Sequence, residues 1–537
     1  MASQVIGTPG VQSDGTRGKT RFASSFWCLN VIEMFERLAF YAFRPVAPIY
    51  IAQADDPGGL HMTQAHRGQV YLWWGIFQSL ILPIFTGGFA DRYGYKRMLT
   101  ISFTLMVTGY VLMAFMRDLP PIFGYQLQDY PAFFAALLVM ATGTAFFKPS
   151  IQGSLAQNLD KSNSSLGWGI FYWVVNIGGF IGPFIATFLL AHPPKDMPPA
   201  EAVEFGKAAW RNLFLAGAAI HSLNFIMLFT FKDVPSGADK TAGPLEVLWR
   251  TFINIFEPRL LVWILIMSGF WMMMYQLWDL HPNFIADWVD TSPAARRLGW
   301  LPDWLHSKIV QDTPRGPQIP QQIIANINGF MIILCVIPVS WMVRRMRTLS
   351  AMLIGMMVAT VGILVAGLTN SVWVLALGIV FFSLGEMTTG PKKSEYLALI
   401  APPGKKGLYL GYVNMPVGIG PSLGALLASY LYGHYGDKAV LAQRYLLEKT
   451  PFGAEKVFNW DGDVTTLGAL LEVPRTEAMA KLQEVTGLDG LTATQLLWDT
   501  YQPAYPVWLP FAAVGVVCAF ALYIYGRMAK RWDDMNA

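Results

Sequence analysis

Twelve stretches of about 20 predominantly apolar residues recur along the chain, and a segment of that length and character has few ways to fold. They lie near 25–53, 67–89, 97–116, 130–156, 166–191, 209–231, 259–285, 319–343, 350–369, 371–399, 406–433 and 506–528. Whether such helices fill a protein core or cross lipid is a matter of composition. With 54% hydrophobic and 14% charged residues over 537 positions, the balance is not that of a soluble protein. An all-α membrane protein with twelve transmembrane helices follows, each crossing a hydrocarbon layer about 30 Å thick.

Basic residues of the short loops fall on one side of this arrangement: Arg92, Lys96 and Arg97, then Lys161, then Arg344, Arg345 and Arg347, then Lys405 and Lys406. The first tail, with Arg17, Lys19 and Arg21, shares that side, as do Arg527, Lys530 and Arg531 after the last stretch. Short loops on the other side carry few, such as Arg67 and Arg117. Positive residues stay cytoplasmic, so both termini are expected in the cytoplasm of a multi-pass protein of the cell (inner or plasma) membrane. Residues 1–24 lack the pattern of a secretory signal and read as a flexible tail. The net charge of +4 reflects the same bias and implies no nucleic-acid partner. Cys28, Cys335 and Cys518 lie within the apolar stretches, so neither a disulfide framework nor a metal cluster is expected.

Residues 232–258 mix charges with an amphipathic stretch and are too short and polar for another helix pair. They read as a cytoplasmic linker between six-helix halves, 25–231 and 259–528, with 529–537 as a second tail. Two insertions face outside. One, near 286–318, holds Trp300, Pro302 and Trp304; the other, near 434–505, holds "KAVLAQRYLLEK" and "TEAMAKLQEVTGL", whose apolar spacing is helical. A small helical cap is expected there.

The first stretch carries an anomaly, "EMFERLAFYAFR" at 33–44. At roughly 100° per residue, Glu33, Glu36, Arg37, Tyr41 and Arg44 fall at about 0°, 300°, 40°, 80° and 20° around the helix, one stripe. A charge at the bilayer centre costs about 2.5–3.5 kcal/mol on insertion scales, so four on one stripe turn toward water or toward partner charges. Glu33 and Arg37, four residues apart, can also pair within the helix.

This "ExxER", followed by an aromatic pair and an Arg, resembles the first-helix signature of the proton-dependent oligopeptide transporter family of the major facilitator superfamily. "GGFADRYGYKR", 87–97, resembles the superfamily's cytoplasmic loop motif, with Gly87 and Gly94 for tight packing and turning and Asp91 and Arg92 for pairing or capping at an inner gate. "GTAFFKPS", 143–150, resembles the family's fourth-helix Lys-Pro motif, and "FYWVVNIGG", 171–179, its fifth-helix signature. The resemblance places Lys148 and Asn176 in substrate contact. In "NINGFMIILCVIP" Asn328 matches a polar position, with Gly329 where a Pro is usual; in "SLGEMTTGP" Glu386 matches the tenth-helix glutamate. The resemblance implies a major facilitator fold, twelve transmembrane helices in two six-helix bundles. It also implies proton-coupled symport of di- and tripeptides by alternating access, with short peptides, protons and the lipid bilayer as partners.

The residues support that chemistry independently. A peptide zwitterion needs a cation for its carboxylate and an anion for its amine, and Arg37, Arg44 and Lys148 in one half face Glu386 in the other. Asn176 and Asn328 can bind peptide amides without regard to side chain, or each can simply hydrogen-bond a neighbouring helix. Phe40, Tyr41, Trp271 and Trp278 can line apolar pockets or serve as packing. Glu33, Glu36, Arg37, Asp279 and Glu386 are the candidates for proton coupling, through weakening of the carboxylates' hold on Arg37. Glu386 with Lys148 is a candidate link across the cavity.

The chain departs from the family twice. The seventh-helix glutamate is missing: "FWMMMYQLWDLHP" has Met274 and Tyr275 before Gln276. Asp279, one turn beyond, can serve as a displaced carboxylate with His281 beside it; the plainer reading puts both at the wet outer end of the helix. After Pro391 comes "KKSEY". Lys392, Lys393 and Glu395 can snorkel to the inner interface or pair with gate residues; alternatively the cations neutralise Glu386 or turn selectivity toward an anionic solute. A carrier of an amino acid, organic anion or modified peptide, or a sensor that has lost transport, are the rival readings. No metal-ligand spacing, phosphate loop or nucleophile–base arrangement stands out, so no enzyme activity, cofactor or metal is expected.

Overall fold

A computed structural model describes residues 22–81, 90, 92–118, 129–159, 163–190, 192–194, 197–231, 255–401, 409 and 412–529. The two tails, most of the 232–258 linker, and Gly87 and Asp91 of the loop motif lie outside these residues. Twelve principal helices run through the described chain. In the first half they are α1 (Ser24–Phe43), α2 (Gln64–Gly75), α3 (Tyr95–Phe115), α4 (Asp129–Gln157), α5 (Ser164–Leu189) and α6 (Pro199–Leu228). In the second they are α7 (Pro258–Met274), α8 (Ile327–Val343), α9 (Thr348–Gly367), α10 (Val372–Ile400), α11 (Met415–Tyr435) and α12 (Ala504–Ala529). Eight of them, counting the short helical pieces that extend α7 and α8, are long and apolar enough to cross a membrane by length and composition. α1 is not among the eight, having Glu33, Glu36 and Arg37 in its span.

Within the first half α1 packs on α5 and α6, and α3 on α4 and α6; within the second, α7 packs on α11 and α12, α10 on α8 and α9, and α9 on α12. The halves meet along α2 with α11 and α5 with α8. Small residues bring these helices close. A Cβ on Gly362 of α9 would lie 2.3 Å from the Phe382 backbone nitrogen of α10, and one on Gly68 of α2 would lie 2.3 Å from Ser429 Oγ of α11. Large apolar side chains point away from the bundle, among them Leu265, Ile337, Val517 and Phe520, as lipid-facing surface requires.

Three apolar stretches that read as continuous are interrupted, each beside the centre of the molecule. The first stops after Phe43 and restarts at Ala47–Ala52, where Pro45 and Pro48 preclude an unbroken ladder. The seventh is split into Pro258–Met274, Gln276–Asp279 and His281–Trp288, with Pro282 at the second restart. The eighth breaks at Asn326, whose side-chain amide donates to the Phe180 carbonyl at 2.8 Å. α2 passes into a π-wound turn over Ile76–Ile81, so its side chains rotate relative to a plain helix.

The insertion near 286–318 ends in an antiparallel hairpin of Gln311–Thr313 with Gly316–Gln318, and exposes Trp300 (76%) and Trp304 (68%). The insertion near 434–505 contains helices Lys438–Lys449, Ala478–Thr486 and Gly490–Tyr501. Its Leu441, Leu446, Leu482 and Leu497 join the buried apolar core of the second half. It is therefore built onto that half and not hung from it by flexible ends.

Candidate functional site

The stripe on α1 borders a central cavity of about 360 Å³ between the halves. Arg37, Tyr41 and Arg44 line it from α1, Asn176 from α5, Asn328 from α8 and Glu386 and Lys393 from α10. Phe40, Trp271 and Trp278 line it too, so those aromatics serve the cavity as well as packing. Tyr275 and Asp279 enter from the broken seventh stretch, and Tyr71 and Trp74 from α2.

Nearly every charge has a partner. Arg37 makes a two-pronged bond to Glu36, one arm at 2.5 Å, and lies 3.5 Å from Glu33. Lys148 Nζ donates to Glu33 at 2.5 Å. Glu33 and Glu36 are fully buried, a position that ionised carboxylates hold only with such partners. Arg44 pairs with Asp279 across the halves and lies 4.4 and 4.6 Å from the Tyr71 and Trp74 ring centres. Asn328 donates to Glu386 at 2.9 Å and to Ser383 Oγ at 3.0 Å. Asn176 donates to the Tyr172 carbonyl at 2.8 Å within its own helix and still faces the cavity.

Several readings change. Asp279 is 3% exposed and paired with Arg44, not at a wet outer end, because the break after Tyr275 and the restart at His281 turn it inward. His281 is fully buried with its ring stacked on Trp508, the centroids 3.9 Å apart, and does not line the cavity. Lys148 meets Glu33 and not Glu386. The two lysines after Pro391 part company: Lys392 pairs with Glu395 at 2.9 Å while Lys393 lines the cavity. Of the loop motif, Arg92 is exposed and Gly94 holds φ +97°, the left-handed backbone that favours glycine. Tyr71 and Trp74 went unnoticed in the sequence, although their three-residue spacing, which puts them on one face of α2 with Arg67, is the available signal.

Contacts across the halves gather at the end bearing the insertions. Arg67 donates to the Asp279 carbonyl and lies 3.4 Å from Asn283 Oδ1. Gln53 donates to Asp287 at 2.7 Å and Gln64 to Asp437 at 2.9 Å. Lys438 lies between Asp55 at 3.2 Å and Asp287 at 3.6 Å. Arg475 of the large insertion reaches the Ala52 and Met62 carbonyls of the first half at 3.1 and 3.0 Å, and Asp437 at 2.6 Å. Burial pushes the Asp287 carboxyl above its ordinary range; Lys438 opposes this, but Asp437 and Asp55 add to it. Burial acts the same way on Asp55, where Lys438, Gln53 and Arg315 outweigh it and hold the carboxyl well below its ordinary range.

Known proteins share this architecture. The chain is 23% identical over 356 residues to multidrug resistance protein MdtH of Yersinia enterocolitica, covering 65% of this chain and 74% of that one. It is 30% identical to the peptide transporter YePEPT of the same species over 168 residues, 30% of each chain. The fold is similar to that of the nucleoside transporter NupG (TM-score 0.61, 14% identity, 94% of this chain and 100% of that one). It is also similar to that of a POT family transporter in complex with 5-aminolevulinic acid (TM-score 0.58, 13% identity, 89% and 96%). The twelve helices in two bundles form the framework of an integral membrane transporter. With residues 29–295 and 317–445 matching its sequence pattern, the chain belongs to the Major Facilitator Superfamily.

Proposed function

We propose that this transporter carries di- and tripeptides into the cell together with protons, its two bundles, 25–231 and 259–528, rocking about the central cavity. The observation that carries the reading is the composition of the cavity wall. Arg37 and Arg44 of α1 supply the cationic pole at the wall, with the Lys148–Glu33 pair lying behind Arg37 and outside the lining. Glu386 supplies the anionic pole, and Asn176 and Asn328 supply the side-chain amides that suit a peptide backbone.

Proton coupling follows from the competition for Arg37 and Arg44. Protonating Glu36 or Glu33 weakens the hold on Arg37 and frees it for a substrate carboxylate; protonating Asp279 releases Arg44 and with it one tie between the halves. Asp279 takes the place of the seventh-helix carboxylate that the resemblance leads one to expect. The gathered outer contacts mark an outward-closed state, with both tails and the 232–258 linker cytoplasmic and Arg92 and Gly94, with Gly87 and Asp91, at the inner gate. A different small solute is the second reading, favoured by Tyr275 standing in the cavity where that carboxylate is absent.

The test is uptake of a labelled dipeptide into proteoliposomes under an inward proton gradient, with an uncoupler as control. Accumulation that collapses with the uncoupler supports the symport reading. Absence of uptake by folded, inserted protein would sink it.

A further inference from the structure

Lys393 lies seven residues after Glu386 on α10, hence within about 20° of it around the helix, and both border the cavity. The neighbouring Lys392 turns away to Glu395. Each of the other two cations of the wall has a carboxylate: Arg37 has Glu36 and Arg44 has Asp279. Lys393 makes no ion pair and no hydrogen bond among the described residues; its Nζ stands 4.3 Å over the ring centre of Trp271. An aromatic face attracts an ammonium but accepts none of its three N–H donors in the way an oxygen does. Glu386, the cavity acid on the same helix, is held by Asn328, and Glu395, two residues on, is taken by Lys392. At the break that follows α7 the cavity wall presents Tyr275 and not a carboxylate. The wall thus holds a positioned cation whose oxygen partner has to come from water or from the solute.

We propose that Lys393 is a second anion-binding pole of the cavity, selecting solutes that carry an acidic side chain or second carboxylate over neutral and basic ones. The proposal rests on the peptide-carrier reading for the remainder of the solute. A charge-assisted bond to such a carboxylate is about twice as strong as a neutral one, enough to set preference among peptides of equal length. The Trp271 face keeps the lysine extended when no anion is bound.

The experiment is counterflow in proteoliposomes, without a proton gradient, using dialanine, alanylglutamate and alanyllysine. The wild type should take alanylglutamate with the highest kcat/KM. Lys393→Gln should lower the alanylglutamate-to-dialanine ratio about tenfold, and Lys393→Arg should largely restore it. Lys393→Met, which retains the stem on Trp271, repeats the measurement should the glutamine variant fail to fold. A ratio unchanged in the folded variants, or equal loss of all three peptides, overturns the proposal. If the wild type carries none of the peptides, the peptide reading itself fails, and glutarate becomes the probe in a thermal-melting assay. Stabilisation by glutarate that is lost in Lys393→Gln upholds the anion pole; stabilisation kept by the variant, or none in the wild type, removes it.

Discussion

Glu36 and Arg37 are sequence neighbours that meet as a two-pronged buried pair, so the charge on either depends on the other. Glu36→Gln removes the titrating group while leaving an oxygen for the guanidinium. Proton-driven accumulation should fall more than tenfold, whereas exchange of labelled for unlabelled peptide at equal pH should persist. Equal loss of both activities in a folded variant would mean that the stripe only holds helices together. The stripe was legible in the sequence because four charges in an apolar helix leave few places for that face to point. Its distant partners were not. Arg44 and Asp279 are 235 positions apart, and a helix drawn unbroken through Tyr275 and Leu280 sends the carboxylate outward.

Helices interrupted at the centre are what give the cavity its backbone irregularity, and sequence periodicity cannot locate such breaks within a uniformly apolar run. The helical spacing near 434–505 was readable for the same reason in reverse, since polar and apolar residues alternate there with a clear period. Part of its hold on the other half was not readable, because Arg475 reaches carbonyls that any sequence supplies. Arg475→Ala removes that part. At about 2 kcal/mol for the charged bonds lost, the open-to-closed ratio should rise about thirtyfold, seen as a longer distance between spin labels at Ala65 and Glu484. Above the ordinary carboxylate range the pH response of this end is set by Asp287, because Asp55, held low by Lys438 across the same seam, titrates below that range. Because closure raises the Asp287 carboxyl, the closed form binds more protons between the ordinary carboxylate range and that raised value. Closure should therefore weaken as pH rises through that window. Asp287→Asn should remove this dependence from the label distance; a slope of unchanged size would assign it elsewhere.

The whole molecule moves, if the halves rock, along the α2–α11 and α5–α8 seams. At Gly68 the seam leaves no room for a side chain, since a Cβ there would stand 2.6 Å from Ser429 Cβ and 3.1 Å from the Ala425 carbonyl oxygen. Gly68→Val should wedge this end apart, lengthening the same label distance and slowing uptake at least tenfold while the protein stays monodisperse in detergent. A variant that transports normally would show that the seam opens by another path. The pairing of charges at the centre also has an electrical consequence. With every group ionised, Glu33, Glu36, Asp279 and Glu386 cancel Arg37, Arg44, Lys148 and Lys393, so on the proposed cycle the empty carrier should reset without moving net charge through the membrane field. Each proton loaded adds one charge, on which 100 mV acts with about 2.3 kcal/mol. On the symport reading, membrane potential should drive the loaded stroke and leave the return indifferent, so a neutral peptide should draw current and an acidic one with a single proton should draw none.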